Sequence, residues 1–592
     1  MLKRFFISML GTMAGIWVSL LLAFLCGIML VGVVAGRSAS GNKNSKSILY
    51  LNLSGVVEER EQETDVLTAI QNLENNTPTL QQMLAALDAA ADDNKIKALY
   101  LDCAGAAMGM ASREELAEAI DRFKIRSGKP VIAYADNYAQ GDYILASRAD
   151  SVYLNPMGAV DIHGVGGITP FFRNALDKLG IRMQIIKVGT FKSAVEPFIL
   201  SSMSEPARLQ MQQYCDSLWA YASNEIATGR GISNDSIRTW ASEIIFTLPA
   251  NDFVERRLVD RLEYRNNVEN ILRDIAGAKR EAELPLVSPA EYMSGSDIFG
   301  SIENTERPHV AVLFAVGDIV DNGKEGIVGS RMAPEIIDLA DNDKVRGLVL
   351  RVNSGGGSAF ASEQIWHALE YFKSKGKPFY VSMGDYAASG GYYISCGADR
   401  IFADATTITG SIGVFGMIPD LSGLVTDKLG VDFSTVETNA NAAGISLMEP
   451  MTPQQHAAMQ RSVDQIYETF TTRVANGRDM PVDSVKAIAE GRVWVGAKAL
   501  QLGLVDTLGS LADAVAAISS EVDLDSDAVQ SYPAVKEEMW LQVLRQGNIA
   551  AELSTVTEAA AADPATMESI RFIRRLRSMN PMQARMEIVR FH

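Results

Sequence analysis

Apolar positions along the chain fall into distinct regimes. From Phe5 to Gly36 no charged residue interrupts a run of Leu, Val, Ile, Phe, Met, Gly and Ala. About 20 such residues cross a hydrocarbon core of roughly 30 Å as a helix, so the run predicts one tilted membrane span. It is longer than the apolar core of a cleaved signal peptide, and no A-x-A site closes it. Leu25 is too large for the small residue expected before a lipidated Cys26. Lys3 and Arg4 precede the run, which leaves the N-terminus cytoplasmic and the rest exported; Arg37, Lys43 and Lys46 beyond it act against that orientation.

Past the span, short β-rich runs alternate with helical periodicity. HVAVLFAVG (309–317), RGLVLRV (346–352), KPFYVSM (377–383) and DRIFAD (399–404) are apolar, β-branched and bounded by turn residues, which predicts strands. Residues 361–374 and 453–475 predict helices. Nearly continuous apolar strands separated by helices imply a parallel sheet buried on both faces.

The pattern occurs twice. KALYLDC (97–103) lies opposite RGLVLRV (346–352), and AQGDYILASRADSVY (139–153) opposite ASGGYYISCGADRIF (388–402), both 249 positions apart. GKP at 128–130 and 376–378, DKLGI (177–181) and DKLGV (427–431), and LVD at 258–260 and 504–506 keep the same order. The chain therefore divides into an anchor region (1–46), two homologous repeats (47–300 and 308–530) and a tail (531–592).

Composition narrows the functional classes. The 592 residues carry 54 Lys+Arg against 72 Asp+Glu, a net charge of −18, which argues against a nucleic-acid-binding body. With 47% hydrophobic residues, global disorder is excluded. Four cysteines, none in a CxxC spacing, support neither a disulfide framework nor a structural zinc site, and no cofactor motif is present. The last stretch, with Arg571, Arg574, Arg575, Arg577, Arg585 and Arg590, is a local basic patch. It predicts a solvated or inter-subunit face first, and contact with anionic lipid second.

Ligands in parallel α/β sheets bind beyond the carboxyl ends of the strands. Two glycine-rich loops follow strands there: Asn353–Ser358 and Ala387–Tyr392. In the second, Ser389 stands at a strand-to-helix turn, either as a plain N-cap or as a nucleophile with the Gly390 N–H facing an oxyanion. Gly356 or Gly357 would supply a second N–H donor. A nucleophilic serine needs a base. Of the five histidines, only His163 lies near a loop of the repeated core, so a Ser-His-Asp arrangement has little to motivate it. Comparing the repeats suggests another base. The first repeat has Gln140 at the Ser389 position and GAAMGM (105–110) in place of the glycine loop, but it carries Lys192 in a mostly apolar stretch. The second has Asn441 or Ala442 there. Each repeat holds what the other lacks, although an ordinary surface lysine would give the same pattern.

The segments RVNSGGGSAFASE, GDYAASGGYYI, GSIGVFG and GTFKSAVEPF resemble the motifs of the signal peptide peptidase A (protease IV) family in its long, two-repeat form. That resemblance covers nearly the whole chain from the anchor to about residue 530. It implies an α/β chain with two tandem ClpP/crotonase-like domains behind an N-terminal transmembrane helix, and a membrane-bound serine endopeptidase with a Ser/Lys dyad. By motif, Ser389 matches the nucleophile, Lys192 the general base and Ser411 the serine that orients the lysine, with Gly390, Gly356 and Gly357 at the oxyanion hole. Gly355 replaces the proline usual in the family's NSPGG, which leaves that loop more flexible.

A free lysine has a pKa near ~10.4 and is no base at pH 7. Lowering it to roughly 7–8 takes ~4 kcal/mol, which burial without a carboxylate supplies. Phe191, Ala194, Val195 and Phe198 fit that need, and Glu196 should point away from the amine. Extended apolar peptides would add as a strand beside Gly356–Gly357. The resemblance further implies signal-peptide remnants as substrates, lipid contact through residues 5–36, a ring-forming homo-oligomer such as a tetramer, and a place on the extracytoplasmic side of the bacterial cytoplasmic membrane. Two other classes share parts of the pattern: a crotonase-type acyl-CoA enzyme, and an inactive membrane scaffold in which Gly355 marks a decayed site.

Overall fold

The computed structural model describes residues 47–60, 77–293, 307–533 and 582–586. The expected membrane span lies outside these residues, as do all the tail arginines except Arg585. No helix among the described residues is long and apolar enough to cross a membrane.

The N-terminal half supplies strands β1 (Ser47–Val56), β2 (Ile96–Ala107), β3 (Val131–Ala135), β4 (Ser151–Leu154), β5 (Arg182–Val188), β6 (Arg261–Leu262) and β7 (Leu286–Val287). The C-terminal half begins with β8 (His309–Val316), β9 (Ile319–Val320), β10 (Ile327–Val328), β11 (Val345–Ser354), β12 (Gly356–Ser358) and β13 (Phe379–Ala388). There follow β14 (Arg400–Ala403), β15 (Ile408–Gly410), β16 (Val414–Asp420), β17 (Val493–Val495), β18 (Thr507–Leu508), β19 (Val529–Tyr532) and β20 (Met582–Arg585). The four strands expected in the second repeat correspond to β8, β11, β13 and β14. The two expected helices run from Ala359 to Ser374 and from Pro453 to Gly477.

The first sheet has the order β6-β4-β3-β2-β1-β7, and every pairing in it is parallel. The second repeats that topology as β18-β14-β13-β11-β8-β19, again parallel, and extends it with β15 and the antiparallel β17. Strands covered on both faces bury almost every residue: Leu49, Leu51, Leu99, Leu101, Val131 and Val152 in one core, Leu313, Leu348, Leu350, Phe379, Val381 and Ile401 in the other. Each such side chain contributes about 1.5–3 kcal/mol of burial. Local signals agree: Ser358 Oγ caps its helix by accepting from the Ala361 N–H (3.2 Å), and Thr452 with Gln455 forms a capping box.

A third sheet, β10-β9-β12-β20-β16-β5, contains strands of both halves. β5 of the first repeat pairs antiparallel with β16 of the second, from Val188↔Val414 to Arg182↔Asp420. A buried charge cluster also joins the halves. Arg351 on β11 donates from Nε to Glu59 (3.0 Å) and from Nη1 to Glu115 (2.7 Å), both of the first repeat. Asp385 accepts from the N–H and Oγ of Ser112 (3.0 and 2.7 Å), and Glu114 accepts from the Ala405 and Thr406 amides (both 3.1 Å).

Candidate active site

The pairing of β5 with β16 determines what meets at its end. Lys192 follows Val188, the last residue of β5, by four positions, and Ser411 precedes Val414, the first of β16, by three. These turns therefore lie together, above the end of β13. There the Ser389 N–H donates to the Gly410 carbonyl (2.8 Å) and the Ser411 N–H to the Arg492 carbonyl (2.7 Å).

Ser389 sits at φ 56°, ψ −114° between β13 and the helix Gly390–Ser395, and its side chain makes no capping hydrogen bond. A non-glycine residue in that backbone region is strained, so the plain N-cap reading does not describe it. Its Oγ is 2.8 Å from Lys192 Nζ. The amine also donates to the Ser411 carbonyl oxygen (3.1 Å) and shares a 3.0 Å hydrogen bond with Ser411 Oγ. Lys192, Ser389 and Ser411 are all buried, Lys192 at 1% exposure. Among the described residues the amine has no ion-pair partner, and burial alone pulls its pKa down to about 7. The Glu196 carboxylate turns away, accepting from the N–H and Oγ of Ser204 (3.0 and 2.7 Å).

Two glycines give the lysine room, and sequence reasoning passed over both as parts of the site. A Cβ on Gly491 (φ +76°) would stand 2.7 Å from Lys192 Cβ, and one on Gly413 would stand 3.3 Å from its Cδ. Gly413 was visible within GSIGVFG; nothing in the local pattern of EGRVW marks Gly491.

The glycines expected at the oxyanion hole occupy different situations. Gly390 opens its helix, where backbone N–H groups lack intrahelical acceptors. Gly391 packs so tightly that a Cβ would approach the Ser354 carbonyl oxygen to 2.6 Å, which locks the serine turn onto the glycine loop. The Gly356 N–H donates to Ser354 Oγ (3.1 Å). Gly357, at φ +157°, lies so close to β9 that a Cβ would reach 2.0 Å from the Ile319 carbonyl oxygen. The strand edge beside Gly356–Gly357, expected to be open to a peptide, is paired with β20.

The corresponding place in the first repeat is closed. Gln140 Oε1 accepts from the His163 and Gly164 amides (both 2.9 Å), and its Nε2 donates to the Gly164 carbonyl (2.8 Å). The Asp142 carboxylate accepts from the amides of Gly105 and Ala106 (2.7 and 3.2 Å), in the loop equivalent to the glycine loop. His163 belongs to this plugged loop, 3.0 Å from Asp161, and is not a partner of Ser389.

A protein-family model described as Peptidase family S49 matches residues 124–279 and 371–525, once in each repeat. Among its relatives, Protease 4 of Haemophilus influenzae is 36% identical over 86% of this chain and 85% of its own. Protease 4 of Salmonella typhi is 34% identical over 90% of this chain and 86% of its own. A putative signal peptide peptidase from Enterococcus faecium is 33% identical over 39% of this chain and 68% of its own. A solved point mutant of ClpP1 from Listeria monocytogenes aligns over 34% of this chain and 93% of its own at a TM-score of 0.23 and 12% identity, too slight a likeness to carry an argument.

Proposed function

We propose, for a chain that belongs to peptidase family S49 and is a serine endopeptidase, that Ser389 is the nucleophile and Lys192 the general base, in two ClpP/crotonase-like repeats. The observation that carries this reading is the 2.8 Å approach of the two fully buried side chains, with no charged partner on the amine among the described residues. A lysine with a pKa near 7 is substantially neutral at physiological pH and accepts a proton. As Ser389 Oγ attacks the peptide carbonyl carbon, its proton passes to Lys192 Nζ. The Gly390 N–H receives the oxyanion, with a second donor from the Gly356–Gly357 segment, where the Gly356 N–H would first release Ser354 Oγ. The lysine then protonates the departing amine, and water, deprotonated by the same amine, hydrolyses the acyl ester. Ser411 holds Nζ in line without adding a charge that would raise its pKa.

The preferred substrates are extended apolar peptides, including signal-peptide remnants. The apolar side chains lining the cavity beside Lys192 and the uncharged apolar run from Phe5 to Gly36 support that reading. The span would hold the enzyme on the extracytoplasmic face of a bacterial cytoplasmic membrane, as a homo-oligomer. The test is hydrolysis of an internally quenched apolar peptide by the full chain in detergent, compared with Ser389→Ala and Lys192→Ala. Each variant should lose at least about 10³-fold in kcat; full activity in either would remove that residue from the mechanism.

A further inference from the structure

Residues 489–492 join the helix Val482–Ile488 to β17, and their backbone holds two turns of the candidate site at once. The Glu490 carbonyl accepts from the N–H of Phe191 (2.9 Å), the neighbour of Lys192. The Arg492 carbonyl accepts from the Ser411 N–H (2.7 Å), and the Gly491 N–H donates to the Ile412 carbonyl (2.8 Å). The segment therefore ties the lysine turn of the first repeat to the Ser411 turn of the second. Its backbone is not relaxed: Glu490 stands at φ 53° and Gly491 at φ 76°. A non-glycine residue in that region is strained, so surrounding contacts must hold it there.

The Arg492 side chain supplies those contacts. Its guanidinium carbon lies 4.8 Å from the centre of the Phe191 ring and 4.3 Å from that of Trp494, one ring from each repeat. Nη2 donates to Gln213 Oε1 (2.8 Å) on the helix Glu205–Arg230 of the first repeat. The adjoining Val493 N–H donates to Gln210 Oε1 (2.9 Å) on the same helix. Trp494 is fixed in turn, its Nε1 donating to the Ile488 carbonyl (3.0 Å). Among the described residues no carboxylate pairs with this guanidinium; its Nε is buried without a partner, and burial pulls its pKa down. The nearby carboxylates are engaged elsewhere, Glu196 with Ser204 and Glu490 facing Tyr467. An unpaired cation is tolerated there because stacking on two rings offsets its lost hydration.

We propose that Arg492 is a positioning residue: held between Phe191 and Trp494, it seats residues 489–492 against the lysine turn and keeps the Lys192 amine in line with Ser389 Oγ. It acts through Phe191 and through the Ser411 N–H, not on the reacting atoms. Lysine could not replace it, because only a planar guanidinium lies between two rings while donating from its edge. The inference rests on the Ser389–Lys192 reading.

Hydrolysis of the apolar peptide by the full chain in detergent tests it. Arg492→Ala should lose about 10–100-fold in kcat with KM nearly unchanged. Its acid limb should move up from about pH 7, because a loosened turn lets water reach an amine that burial alone keeps neutral. Millimolar guanidinium ion should restore part of that kcat, which a merely structural loss would not allow. Arg492→Lys keeps the charge and is the milder change where Arg492→Ala folds poorly; it should still lose about tenfold in kcat. Phe191→Leu removes the ring beneath the guanidinium, and adding it to Arg492→Ala should lower kcat by less than the product of the two single losses. Unchanged kcat in both Arg492 variants, a loss confined to KM, an unmoved acid limb, or fully multiplicative losses would each overturn the proposal. Lys192→Ala and Ser389→Ala, measured alongside, separate it from the dyad reading. If both are inactive while the Arg492 variants match wild type, only the role of Arg492 fails; full activity in either removes the dyad and that role together.

Discussion

Lys192 Nζ lies 2.8 Å from Ser389 Oγ, although 197 positions separate the two residues and they come from different repeats. Neither repeat could position the pair alone. The contact exists because β5 crosses to the other half and pairs with β16, delivering the lysine turn to the serine turn. The first repeat keeps the same scaffold, but Gln140 and Asp142 fill its own loops with hydrogen bonds. Among the described residues, then, only the second repeat leaves its serine turn open to a lysine from the other half.

Because burial alone lowers the Lys192 pKa to about 7, the free enzyme's pH profile should show it. Log kcat/KM should rise with unit slope up to about pH 7 and then level off, leaving activity at pH 5 about a hundredfold below the plateau. The check is peptide hydrolysis from pH 5 to 9 at constant ionic strength. A flat acid limb would exclude lysine as the base.

The same burial burdens the fold. Between the folded value of about 7 and the unfolded value near 10.4, the unfolded chain binds more protons, so stability rises with pH through that window. Lys192→Met removes the charge penalty, about 4 kcal/mol at pH 7, and loses the amine's hydrogen bonds, which offset part of it. The inactive variant should be more stable than wild type by about 1–3 kcal/mol at pH 7, and the advantage should shrink toward pH 10. Denaturant unfolding at several pH values measures this; a variant less stable at pH 7 and unchanged at pH 10 would contradict it.

What the sequence disclosed followed from pattern and repetition. Continuous apolar runs marked β8, β11, β13 and β14, and comparing the repeats set Lys192 against Ser389. The antiparallel pairing of β5 with β16 was not legible, because half-exposed positions in RMQIIKV carry no signature of a partner more than 200 residues away. Nor was β20: Met-Gln-Ala-Arg has no alternating apolar pattern, and its place depends on backbone edges that exist only after folding. Gly491 escaped notice because what it makes room for is a side chain from the other repeat.

That glycine gives a geometric test. At Gly491, φ is +76° and an added Cβ would stand 2.7 Å from Lys192 Cβ and 2.8 Å from its Cα. Gly491→Ala must shift the lysine backbone, and misplacing a catalytic group by about 1 Å lowers the rate by roughly 10². Gly503 has a similar φ of +73° but only Met480 Sδ, at 3.8 Å, near its missing Cβ. Gly503→Ala therefore carries the backbone strain without the collision. Gly491→Ala should reduce kcat by about 10²-fold with little change in KM, while Gly503→Ala keeps wild-type kcat. Equal losses in both would point to strain, not to the lysine's position.

The last prediction concerns what keeps the halves in register. Arg351 is fully buried and bridges Glu59 and Glu115 of the other repeat, with Nη1 also donating to Ser382 Oγ (2.9 Å). Removing one partner of a buried ion pair leaves an uncompensated charge, at a cost of about 3–5 kcal/mol; Arg351→Met leaves two carboxylates. Burial already pushes the Glu115 carboxyl up, and Arg351 is the main opposing influence. Without the guanidinium the folded Glu115 carboxyl takes up a proton more readily than the unfolded one, so the folded variant gains stability as pH falls. Arg351→Met should therefore be about 3–5 kcal/mol less stable than wild type at pH 8 and recover part of the deficit at pH 5. Peptidase activity should disappear at the denaturant concentration where the repeats part, since Lys192 and Ser389 lie on opposite sides of that seam. Tryptophan fluorescence and residual hydrolysis, followed across the same urea series at both pH values, provide the check. A deficit independent of pH would mean that packing, not the stranded carboxylates, is what Arg351 contributes.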